Sequence, residues 1–141
     1  LDAKHRVAIP ARYRDQLMDS CGGQLVMTVD SNGYLVIYPL GEWEEIERKV
    51  MSLPNSDKRV RRFQRFFVGH ASEVELSAQG RFVIPEPLRE FAEISKQAVL
   101  IGQGSKFELW SAERWKVEFD DWAGEEDQDE DISELMGSIS F

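Results

Sequence analysis

The chain has 141 residues and a formal net charge of −9, from 17 Lys and Arg against 26 Asp and Glu. That length can bury a real core, as one domain or as two intimately paired halves. The single cysteine, Cys21, excludes an intramolecular disulfide, and no apolar run approaches a membrane span.

In chain order, residues 6–9 read as a short strand closed by Pro10, whose fixed φ suits a strand-to-helix junction. A helix follows, with Tyr13 and Leu17 four apart on one face, and Ser20-Cys21-Gly22-Gly23 stops it. Residues 24–29 and 34–38 are rich in β-branched and aromatic side chains and flank Asp30-Ser31-Asn32-Gly33, a hairpin with an Asn-Gly turn. Residues 58–70 read as a basic amphipathic linker helix, with Val60, Phe63, Phe66 and Phe67 on one face. Residues 71–76 alternate as a strand, and residues 98–102 and 106–110 form a second hairpin around Gln103-Gly104-Ser105.

These elements occur twice because the sequence does. Residues 1–17 return as residues 76–92 with six identities: Leu1/Leu76, Ala3/Ala78, Arg6/Arg81, Ile9/Ile84, Pro10/Pro85 and Arg14/Arg89. Ile37-Tyr38 through Trp43 then matches Leu109-Trp110 through Trp115. An internal repeat predicts two similar units that pack on each other, since neither buries its apolar face alone. The units are residues 1–57 and 71–117, joined by 58–70 and followed by an acidic tail, 118–141. The second copy has a strand ahead of its turn, so the repeat predicts a further strand ahead of Leu1.

The net charge divides unevenly along the chain. Residues 117–141 carry ten acids and no Lys or Arg, which leaves 16 acids and 17 bases in residues 1–116. The residues leave open whether the tail is a solvated appendage or a decoy for a basic surface. Ile132, Leu135, Met136, Ile139 and Phe141 would also let it dock as a short helix. Bases cluster at Lys4, Arg6, Arg12 and Arg14, and again at Lys58, Arg59, Arg61, Arg62 and Arg65.

The turn pattern is the main functional candidate: Asp2-Ala3-Lys4-His5-Arg6 and Ser77-Ala78-Gln79-Gly80-Arg81. An Asp or Ser that caps its own turn, followed by Gly where φ is positive, fixes the backbone and launches the Arg from a rigid platform. Guanidinium suits bidentate contact to guanine or phosphate, and a two-stranded β element fits a major groove. The same residues also allow Arg6 simply to pair with Asp2.

The twin turn-strand-Pro segments resemble the SpoVT-AbrB type of DNA-binding element. Together with Tyr38-Pro39-Leu40 and Trp43, Arg61 through His70-Ala71-Ser72, and Lys106 through Trp110 with Trp115, they resemble the MraZ family of bacterial transcriptional regulators over about residues 1–116. The resemblance implies a mixed α/β fold with a mainly β core, a double-split, swapped-hairpin barrel from two internal repeats with outer helices. It implies ring-shaped homo-oligomers of the octamer or dodecamer class that bind short direct repeats in double-stranded promoter DNA upstream of their own division and cell-wall operon, usually as repressors. A cytoplasmic, nucleoid-associated protein follows, with no membrane partner. The DNA-contact Arg carries over to Arg6 and Arg81, and Lys4 matches a usual basic position. His5 departs from the family's Gly, and Ser77 from its second Asp. His5, Arg12 and Arg14 complete the candidate DNA-binding set, and Arg59, Arg62 and Arg65 are candidates for oligomer or secondary basic contacts.

Two other classes compete. An enzyme is disfavoured: Cys21 has no activating partner in sequence, the histidines are His5 and His70 alone, and neither metal-ligand spacing nor a nucleotide loop occurs. No cofactor, metal or catalytic residue is expected. An AbrB-like antitoxin or oligomeric scaffold acting through a protein partner is the alternative, favoured by the acidic tail with its apolar end.

Overall fold

A computed structural model of the chain describes residues 1–125 and 136–137. Among the described residues seven strands and five helices follow in the order β1 (Arg6–Ala8), α1 (Ala11–Cys21), β2 (Gln24–Val29), β3 (Leu35–Pro39), α2 (Leu40–Met51), α3 (Lys58–Phe67), β4 (Ser72–Glu75), β5 (Arg81–Val83), α4 (Glu86–Phe91), β6 (Ala98–Gln103), β7 (Lys106–Ser111) and α5 (Ala112–Gly124). The predicted linker helix ends at Phe67, with residues 68–70 in a turn, and α5 runs through residue 117 into the expected tail. Tail residues 126–135 and 138–141 lie outside the described residues.

Short sequence signals set the helix ends. Pro10, Pro39 and Pro85 stand at the N-caps of α1, α2 and α4 with φ of −54°, −57° and −57°, as the pyrrolidine ring requires. Asp57 and Ser111 cap α3 and α5 by accepting from the backbone N–H of Arg59 and Arg114. Gly22 ends α1 at φ 63°, and its N–H and that of Gly23 reach back to the carbonyls of Met18 and Leu17, a left-handed stop that glycine makes without steric cost.

The strands form a five-stranded antiparallel sheet, β4-β2-β3-β7-β6, and a separate two-stranded ribbon, β1-β5. The repeats exchange strands: β4 of the second pairs with β2 of the first, and β1 pairs with β5. In the ribbon Val7 faces Phe82, and in the sheet Val36 faces Glu108. Each is a pair of repeat counterparts, so both ladders are centred on one pseudo-twofold relation. The fold is thus mixed α/β with a β-rich core. Among the described residues the two sheets do not close into a barrel, because β4 and β6 are open edges and β1 and β5 bond only each other.

The alternating pattern sends each strand's side chains to two layers. Leu25, Met27, Leu35, Ile37 and Leu109 point inward, where Leu17 of α1, Leu88 of α4 and Ile9, Phe82 and Ile84 around the ribbon cover them. Each such burial contributes roughly 1.5–3 kcal/mol. Val26, Val36 and Tyr38 point to the other face, under Trp43 of α2 and Phe67 of α3. The ribbon and the basic helix α3 therefore lie on opposite sides of the sheet.

Candidate nucleic-acid interface

The ribbon presents one buried and one open face. Val7 and Phe82 turn into the core, whereas Arg6, Ala8, Arg81 and Val83 alternate outward. Arg6 stands opposite Val83 and Arg81 opposite Ala8, which makes the two arginines diagonal neighbours across the ladder.

The turns ahead of the strands hold both arginines in place. Asp2 Oδ1 accepts from the backbone N–H of Lys4 at 2.9 Å and of Arg6 at 3.0 Å, and Oδ2 from Arg6 Nε at 2.8 Å. Arg81 Nη1 approaches the same Oδ2 at 3.9 Å. The N–H of Arg6 chiefly, against the opposing effect of desolvation, and then the N–H of Lys4 and the Arg6 guanidinium hold the Asp2 carboxyl down at about 2 from an ordinary 3.8. Ser77 repeats the cap with a neutral oxygen, accepting from Arg81 N at 3.1 Å. The ion pair between Arg6 and Asp2 therefore exists, but it engages Nε. Among the described residues both Nη groups of Arg6 make no hydrogen bond, so the end that pairs bidentately with guanine or phosphate faces outward unused.

The two turns also brace each other. Ile9 N donates to Gly80 O at 2.8 Å, and Ile84 N to His5 O at 3.2 Å. His5 adopts φ 57° where its counterpart Gly80 has φ 78°. A side chain in that region is strained, and His5 Nδ1 is buried without a partner among the described residues.

The other candidates separate by environment. Lys4 is exposed at the tip of its turn. Arg12 is exposed on α1, with its guanidinium carbon 4.7 Å from the Tyr13 ring centre. Arg14 is a packing residue: Nη2 is 3.5 Å from Ile9 O, Nε is buried, and the guanidinium fills the space beside Gly80. On the far side of the sheet Arg59 pairs with Asp57 at 2.9 Å, and Arg62 and Arg65 are exposed. They do not converge with Arg6 and Arg81. Ala8 and Val83 were not among the sequence candidates, although the strict alternation of a short strand could have identified them. The cap and the ion pair that Asp2 makes were both readable from the turn pattern.

A groove of about 940 Å³ lies between α3 and α4, lined by Phe63 and Phe66 of the one and Pro87 and Phe91 of the other, with Arg59, Arg62 and His70 on it. Among the described residues no cluster of His, Cys, Asp and Glu is arranged to hold a metal, and no helix is long and apolar enough to cross a membrane.

The family model described as "MraZ protein, putative antitoxin-like" matches the chain twice, over residues 1–66 and 67–133. The chain belongs to the MraZ family. Similar proteins bear the name Transcriptional regulator MraZ. That of Thioalkalivibrio sulfidiphilus is 51% identical over 141 residues, covering 100% of this chain and 94% of its own length. That of Methylococcus capsulatus is 50% identical over 143 residues with the same coverages. One from Pseudomonas aeruginosa is 49% identical over 118 residues, 83% of this chain and 78% of its own. The two matches meet in the last turn of α3, and the second extends past α5, which ends at Gly124.

Proposed function

We propose that the chain is a sequence-specific, DNA-binding transcriptional regulator, a repressor that reads short direct repeats upstream of its own division and cell-wall operon. The observation that carries this reading is the outward face of the β1-β5 ribbon. It offers two repeat-related guanidiniums from a rigid antiparallel pair, the shape a major groove admits. Arg6 and Arg81 contact bases, and Lys4 and Arg12 contact phosphate. Arg14 and His5 hold the turns. The repression, the operon and the direct repeats rest on the family resemblance.

The chain acts as a ring-shaped homo-oligomer, in the cytoplasm and on the nucleoid. One ribbon carries few contacts, and a ring matched to repeated sites multiplies them through effective concentration. The exchange of strands between repeats supports the swapped-hairpin, double-split barrel as the family architecture. The test is an anisotropy titration of the chain against the DNA upstream of its gene at two salt concentrations. Saturable binding that survives competitor DNA and weakens with salt is expected. Binding no tighter than to random DNA contradicts it. The Phe-lined groove favours the second reading, an antitoxin-like or scaffold protein with a protein partner, and that outcome would move the weight to it.

A further inference from the structure

A cleft of about 530 Å³ lies between α5 and the sheet, walled by aromatic rings. Tyr34 stacks on Trp110 with centroids 4.4 Å apart, and Trp110, Trp115, Phe119 and Trp122 continue the run at 5.4, 6.4 and 6.0 Å. Phe119 is 49% and Trp122 65% exposed. Glu108 and Glu118 line the same cleft, and among the described residues no Lys or Arg does. Glu108 accepts from Trp110 Nε1 at 3.0 Å, which fixes one carboxylate against the rings. Burial first, then the carboxylates of Asp30 and Glu108, push the Tyr34 hydroxyl above its ordinary range, so the site disfavours further negative charge. Ring faces beside carboxylates are the chemistry of an organic-cation site, and guanidinium is the side-chain cation that also stacks flat on a ring.

The repeat shows how this surface differs from its counterpart. At an offset of 72 residues Trp115 matches Trp43, which is 4% exposed with Phe67 of α3 lying 5.4 Å from it. Val36 and Ile46 pack in that same apolar cluster, and they correspond to Glu108 and Glu118. The second repeat thus has two carboxylates where the first has two apolar side chains under α3. Residues 117–141 contain no Lys or Arg, so the C-terminal part of this chain supplies no cation. The cations are on α3, which carries Lys58, Arg59, Arg61, Arg62 and Arg65 and no acid. Arg59 is held by Asp57, and Arg61 by the carbonyls of Asn55 and Ser56. Arg62 and Arg65 are exposed and make no ion pair among the described residues. Within one chain the β2–β3 turn separates the two surfaces. Asp30 and Ser31 line the groove beside Arg62, and Asn32 and Tyr34 line the cleft.

We propose that the cleft is a guanidinium site filled by Arg62 of a second copy of this chain, with Arg65 of that copy facing Glu118 and Asp121 of α5. The first repeat of one copy then meets the second repeat of the next, basic helix against acidic, aromatic helix. A contact between unlike surfaces passes from copy to copy and closes as a ring. An exposed ion pair alone contributes little, whereas a guanidinium laid on an indole is shielded from water and held by charge and ring together. This contact rests on the ring reading above and names its two surfaces, and no DNA enters its test.

The test is native mass spectrometry of the full chain and of two charge-reversed variants, Arg62→Glu/Arg65→Glu and Glu118→Lys/Asp121→Lys, all four positions being exposed. The unmodified chain is expected to form rings. Each variant alone should be monomeric with an unchanged melting temperature, and their 1:1 mixture should return rings in which the two alternate. Rings that persist in both variants alone, or folded variants that stay monomeric when mixed, overturn the contact and leave the ring reading standing. A monomeric unmodified chain overturns both. The conservative variant Arg62→Lys gives a second readout that does not depend on the charge reversals folding. In a blend of isotope-labelled and unlabelled chains, a carbodiimide should join the new amine to Glu108 or Glu118 in mixed-isotope links. Links within single chains only, or no link to either carboxylate, overturn the proposal.

Discussion

Arg14 packs its guanidinium against Gly80: a β-carbon built on that glycine would lie 2.0 Å from Arg14 Nε. The helix of the first repeat thus supports the turn of the second, and the support extends to Arg81, the next residue. Gly80→Ala must displace Arg14 and also place a side chain at φ 78°. We expect a loss of about 1–3 kcal/mol of stability, measured by urea unfolding, with weaker DNA binding in the folded fraction.

Arg12 and Arg14 make a matched comparison. Arg14→Ala removes a half-buried stem and the brace on the second turn, and should cost about 1–3 kcal/mol. Arg12→Ala removes an exposed group and should stay within about 0.5 kcal/mol. Equal losses in thermal unfolding would contradict the packing role of Arg14.

Much of this was legible in the sequence because it depends on local chemistry. Asn32-Gly33 marked the first hairpin, Gly22 the end of α1, and Pro10 and Pro85 the strand-to-helix joints. The repeat also located both arginine turns. The role of Arg14 was not legible, since a basic residue beside other basic residues reads as part of a charged patch until a partner from the other repeat is seen. Nor did composition reveal that Arg59 and Arg62 lie across the sheet from Arg6, because the side of a sheet on which a helix packs is a tertiary choice. Of the linker-helix residues, Phe67 is buried and Phe63 and Phe66 are exposed. A helical period alone does not distinguish a face covered by the chain from one left open.

His5→Gly should stabilise the chain. It removes the cost of a left-handed side chain, about 1–2 kcal/mol, and returns part of that as unfolded-state entropy, for a net gain of about 0.5–1 kcal/mol. The melting temperature reads the result directly, and a decrease would show that the His5 ring contributes packing that outweighs its backbone strain.

The turn of the first repeat should depend on pH in the acid range, and the second should not. The Asp2 carboxyl sits at about 2 when folded, below the ordinary 3.8. Its stabilising contribution is therefore fully present above that ordinary value and is lost as pH falls through about 2. Ser77 has no such titration. Following the Asp2 carboxyl and the Arg6 amide by NMR through acid titration should give a midpoint near the depressed value, with the Arg81 amide unmoved. A midpoint at the ordinary value would show that the turn is not formed as described.

The most direct test of the ribbon as the DNA-reading surface is the affinity of Arg6→Ala for the upstream DNA, measured beside Arg81→Ala and Arg59→Ala. Arg6 and Arg81 should each cost about 1–3 kcal/mol of specific binding with folding and assembly intact, and Arg59 should change little. Unaltered specific affinity in a folded, correctly assembled Arg6→Ala/Arg81→Ala double variant would contradict the assignment.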